Sequence, residues 1–292
     1  VPTSVELACP QCGRPHAIET LVCGLCGELL RRERASAVAA AAGQRDVGHH
    51  TPSPAEERAS GREPWVFLGL GLLTAPVFAW TPLLQYMAWF LASLVHEMGH
   101  AGLAWLCGMP AIPAISLAGE AAAVHGEQSR LAALSVAAVL AAIAWTRLAG
   151  RARTIVLSAL VLGYPVLAFT SMREVVHLLA GHGAELLFAT LCLWKTLDGG
   201  FTDSRSERVL YGTVGWMLLG KNLWLCWGLI RSAVARAEYR TSGSFGLTND
   251  YLRVAELLDW RLPVVASGML LVSCLVLPAA LGLWRLSSRA RA

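Results

Sequence analysis

Leu91-Ala92-Ser93-Leu94-Val95-His96-Glu97-Met98-Gly99-His100-Ala101-Gly102-Leu103-Ala104-Trp105-Leu106 is an apolar run broken by two imidazoles and one carboxylate. On a helix, residues four apart share a face, so His96 and His100 can point at one metal ion. Glu97 then stands beside the open position of that ion, where it can take a proton from water and pass it to a leaving amine. Gly99 keeps bulk away from the metal. Ionisable side chains inside an apolar span are costly unless they face a partner or a cavity. The other reading of the same residues is polar packing between helices with no metal.

The rest of the chain sets this run in a membrane. Of its 292 residues 55% are hydrophobic and 15% charged, where a soluble domain carries about 25% charge. Mean hydropathy is +0.51. Long apolar blocks recur from Trp65 to Leu286, whereas residues 1–63 look soluble. A span needs about 20 apolar residues. The blocks read as spans over roughly 65–80, 82–108, 130–149, 153–172, 174–198, 207–231 and 262–286. The predicted fold is therefore an all-α polytopic membrane protein with about six or seven transmembrane helices in residues 64–292. The first span ends early, at Thr81-Pro82. Residues 109–129 are too polar to span and suggest a re-entrant or interfacial hairpin. In the late loop 232–261, Asn249-Asp250 can cap a short interfacial helix carrying Leu252, Leu257, Leu258 and Trp260.

Residues 1–30 form a cysteine module and 31–63 a flexible linker. Cys9-Pro10-Gln11-Cys12-Gly13 and Cys23-Gly24-Leu25-Cys26-Gly27 are two C-x-x-C pairs. That pattern suits one tetrahedral Zn2+ held by four thiolates, a zinc ribbon; two disulfides are the alternative. His16, between the pairs, reads as a surface residue. Cys107, Cys192, Cys226 and Cys274 sit singly in apolar blocks and read as small buried hydrophobes. Residues 1–30 lack the apolar core of a signal peptide. A thiolate zinc site fits a reducing compartment, and the larger share of flanking basic residues falls on the N-terminal side. Both favour a bacterial inner-membrane protein with a cytoplasmic N-terminus. The net charge of +4 is ordinary flanking arginine, so the expected partners are the bilayer and a membrane protein substrate or subunits, with no nucleic acid.

His96-Glu97-Met98-Gly99-His100-Ala101 on a membrane helix resembles the active-site helix of the site-2 protease class of intramembrane zinc metallopeptidases. The resemblance covers about 85–108. It implies zinc ligation by His96 and His100, with Glu97 as general base. It also implies an Asp ligand from a Leu-Asp-Gly motif, here Leu197-Asp198-Gly199. The Asn and Pro residues that precede that motif in the family are absent from Leu191-Cys192-Leu193-Trp194-Lys195-Thr196.

A second polar cluster, Arg173-Glu174, His177, His182 and Glu185, competes for the third ligand. His96 and His100 lie about 12–18 Å along their helix from its end near Gly108, and His182 and Glu185 about 12–17 Å from the start of theirs near Glu174. Asp198 lies about 36 Å in. Depth thus ranks His182 first and Glu185 second, ahead of Asp198. His125-Gly126-Glu127 reads as an interfacial turn.

The leading expectation is a zinc metalloendopeptidase that hydrolyses peptide bonds of membrane substrates, with a ribbon for docking or regulation. A non-catalytic membrane scaffold or complex subunit that retains a structural zinc is the alternative, and an enzyme acting on lipid is a third.

Overall fold

The computed structural model describes residues 6–8, 15–17, 54–117, 119–199, 204–242 and 248–291. The chain divides into two compact units, Val1–Arg58 and Ala59–Ala292. In the first, β1 (Glu6–Ala8) pairs antiparallel with β2 (Pro15–Ala17), His16 opposite Leu7. Cys9, Cys12, Cys23 and Cys26 lie outside the described residues, and so does the expected ribbon.

The second unit is helical. α1 (Pro54–Trp80) breaks at Thr81 into α2 (Pro82–Leu106), which starts with proline at its first position, where a missing N–H costs nothing. The two helices meet at 108°. A hairpin of β3 (Ala111–Ile115) and β4 (Ala121–His125) follows, with Ala111 opposite His125. Residues 109–129 thus form a β-hairpin and its flanks. Ser129 opens α3 (Arg130–Arg147), its hydroxyl accepting from the Ala132 N–H at 3.2 Å. After α4 (Gly150–Phe169) comes α5 (Met172–Asp198), which ends where Gly199 turns left-handed at φ 61°. α6 (Arg205–Arg231) runs back along α5. Short helices α7 (Ala233–Thr241) and α8 (Asp250–Leu257) lead into α9 (Leu262–Cys274) and α10 (Val276–Arg291).

Length and apolarity make this a membrane protein, but they do not support six or seven spans. Among the described residues, four helical stretches qualify: 130–147, 150–169, 172–198 and 262–289. A fifth is gained if the bent pair α1–α2 counts as one. Two effects account for the shortfall from seven. The blocks at 65–80 and 82–108 are the two limbs of one bent pair. α6, read as a span over 207–231, is diluted by Lys221, Asn222 and four glycines. Its polar side chains meet protein, since Lys221 and Asn222 both bond to Glu185, so it does not need a wholly apolar surface.

α5 is the axis of the unit. Of its apolar window 39% is buried, against 11% for each of α3 and α4, whose surfaces face outward as lipid-facing helices do. Its core partners are Leu186, Leu193 and Leu197 against Leu218 of α6 and Val265 and Ala266 of α9. The Trp65 and Trp284 rings meet edge-on at 5.8 Å, Ser287 bonds Asp198 and Arg208 bonds the Thr196 carbonyl, so Trp65, the start of α6 and the ends of α5 and α10 share one end. The end of α2, the start of α5 and α8 share the other.

Candidate metal centre

α2 and α5 cross where neither has a side chain in the way. A Cβ on Gly99 would lie 2.3 Å from the Ala180 carbonyl oxygen. One on Gly181 would lie 2.5 and 2.6 Å from Nε2 of His96 and His100. The crossing therefore holds both imidazoles against bare backbone of α5.

Both rings have their Nδ1 side engaged. His100 Nδ1–H donates to the His177 carbonyl at 2.7 Å, and His96 Nδ1 faces the Glu185 carboxylate at 3.3 Å. A donor at Nδ1 leaves a lone pair at Nε2 in a neutral imidazole. The two Nε2 atoms lie 3.1 Å apart. Facing both is Oδ2 of Asp250, 3.0 Å from His96 and 3.3 Å from His100. Three potential ligand atoms thus converge within 3.3 Å of one another, an arrangement suited to a cation. Burial alone would raise the pKa of Asp250, but its bonds to His100 and His96 outweigh that and hold the carboxyl well below the usual carboxylate range.

Asp250 was not anticipated as a site residue. It begins α8, and Tyr251, Val254 and Ala255 bury that helix against the bundle. Asn249 ties α8 to the end of α7 by donating to the Tyr239 carbonyl. It occupies the cap position without making a side-chain cap bond. Sequence alone offered one hint, an Asn-Asp pair opening a short amphipathic helix.

The expected residues divide into two groups. His182 and Glu185 form a second possible metal-holding set with His96. In that set the Glu185 oxygens already accept from Lys221 Nζ at 2.7 Å and Asn222 Nδ2 at 2.6 Å. His182 Nδ1 lies 3.0 Å from Asn222 Oδ1. A metal here would sit beside an ammonium group, which disfavours it. Glu185 instead faces Nδ1 of His96 at 3.3 Å, the position at which metal-ligating histidines generally have an orienting carboxylate. Lys221 is a cation within an apolar block, a signal that asks for a nearby acid, and Glu185 is that acid. Asp198 is remote, sixteen residues or about 24 Å along α5 from His182, with its carboxylate on Ser287.

A cavity of about 450 Å³ opens onto the centre, lined by Glu97, His125, Arg173, His177 and Arg253 among others. Glu97 is nearly buried. The Arg253–Glu174 ion pair, 2.9 Å long and half exposed on both sides, crosses the mouth. His125, read as part of an interfacial turn, stacks edge-on 5.0 Å from His177.

Comparison with protein families, curated proteins and solved structures finds no match. The resemblance to the site-2 protease class therefore rests on the His96-Glu97-Met98-Gly99-His100 motif alone.

Proposed function

We propose that the chain is a zinc-dependent peptidase of the bilayer, with His96, His100 and Asp250 holding the zinc and Glu97 as general base. One observation carries the reading: the three ligand atoms are 3.0, 3.1 and 3.3 Å apart. Tetrahedral bonds of about 2.0–2.1 Å put ligand atoms about 3.3–3.4 Å apart. The missing Cβ of Gly181 supplies the room, and two imidazoles with one carboxylate are a common catalytic zinc set that keeps a fourth position open.

Zinc bound there would supply Lewis-acid activation of water and of the scissile carbonyl. The chain's own residues do the rest. Glu97 accepts the proton of the attacking water and delivers it to the departing amine. His177 holds His100 through its carbonyl, and Glu185 holds His96. Asp250 closes the set from α8. The cavity sets His125, Arg173, Asn249 and Arg253 among apolar groups, a lining that suits an unwound segment of substrate better than an intact apolar helix. We place the protein in a bacterial inner membrane with a cytoplasmic N-terminus and a zinc ribbon that docks or regulates.

The reading is tested with the full chain in lipid nanodiscs against a panel of single-span membrane proteins, fragments being identified by mass spectrometry. Cleavage by the wild type and none by Glu97→Gln supports it. Identical fragments from both would sink the peptidase mechanism. A zinc-loaded wild type that cleaves nothing in the panel would favour the scaffold reading, for which the degenerate approach to Asp198 is the motive.

A further inference from the structure

A second cavity, about 570 Å³, opens between α7, α8 and the first turn of α9. Its position is set by the last span, which begins at Leu262. Arg261, Leu262 and Pro263 line it, so it lies where hydrocarbon gives way to headgroups. Trp260, half exposed on its wall, is the residue type that collects at that level. The floor is apolar, with Ile230 and Leu252.

The charges are of both signs. Arg236, Arg240 and Arg261 line the cavity together with Glu256 and Asp259. Arg236 is held in place by donating to the Leu229 and Ile230 carbonyls at 3.0 and 3.2 Å. Among the described residues, neither Arg240 nor Arg261 has an ion-pair partner. Asp259 adds an independent sign. It follows α8 in left-handed backbone conformation, at φ 52°, and is the one non-glycine residue with positive φ among the described residues. Glycine is the usual occupant of that position. Aspartate tolerates that conformation better than most side chains, and what it brings that glycine would not is a carboxylate at the cavity rim.

We infer that this cavity binds the headgroup of an ethanolamine phospholipid, its phosphodiester on Arg240 and Arg261 and its ammonium on Asp259 and Glu256. A purely anionic headgroup would leave both carboxylates facing a negative ligand. A choline headgroup has no N–H to donate to them. The acyl chains leave past Leu262 and Pro263 into the bilayer. The site is separate from the metal centre and does not depend on the peptidase reading.

The test uses the full chain released from nanodiscs of equal ethanolamine, choline and glycerol phospholipid, with retained lipid counted by native mass spectrometry. The wild type should keep the ethanolamine lipid about tenfold over the other two, the size of one charge-assisted hydrogen bond. Asp259→Gly should abolish that preference without lowering the thermal midpoint, because glycine suits the backbone. Arg240→Gln with Arg261→Gln should lose retained lipid of all three kinds. Equal retention of the three lipids by the wild type overturns the proposal, and so does a preference untouched by Asp259→Gly. Displacement of the lipid by millimolar inorganic phosphate would show a free-anion site and overturn it equally. If the double arginine variant fails to fold, Asp259→Gly still decides.

Discussion

Oδ2 of Asp250 lies 3.0 Å from Nε2 of His96, although 154 residues separate them in the chain. A helix too short to span a membrane thereby joins a set begun by α2.

Asp250→Ala should cost the purified full chain one equivalent of bound metal by elemental analysis. The loss in affinity should exceed the roughly 10–100-fold typical of an outer-sphere partner. Asp198→Asn, with its carboxylate on Ser287, should keep its metal. Metal loss from Asp198→Asn and retention by Asp250→Ala would reinstate the ligand set implied by the family resemblance.

Glu185→Gln should weaken metal binding about 10–100-fold without removing the site. The carboxylate is fully buried and orients His96 through Nδ1. Titration with a competing chelator measures the change. A loss as complete as that of His96→Ala would make Glu185 a direct ligand.

Gly181→Ala should abolish metal binding, because the new methyl would occupy the space beside both Nε2 atoms. Gly183→Ala is the matched control: nothing lies within 4 Å of its Cβ position. That change should preserve the metal and stabilise the helix by up to about 1 kcal/mol. Thermal melts and metal content read out the pair.

Glu97→Gln should retain the metal while turnover falls by about 10²–10⁴-fold, the usual contribution of a positioned general base. Loss of metal together with activity would mean that Glu97 holds the site rather than moving a proton.

The helical class was legible because apolar blocks are a local property. So was the pairing of His96 with His100, whose i, i+4 spacing fixes a shared face whatever the surroundings. The crossing of α2 and α5 was reachable from depth alone, and the structure does set His182 and Glu185 beside His96. Asp250 was not reachable, because the path of a loop between two helices leaves no periodic trace. The span count also needed tertiary information. Apolarity cannot distinguish two spans from two limbs of one bent helix, and it understates a helix such as α6 whose polar side chains are met by protein.

His96, His100 and Asp250 sit near the end of the bundle that carries α8, while Trp65 and Trp284 meet at the opposite end. The proposed zinc would therefore be sided. In sealed vesicles of uniform orientation, a membrane-impermeant chelator would strip the metal from one face only. Reporter tags joined ahead of Trp65 or beyond Trp284 would mark the face from which it cannot.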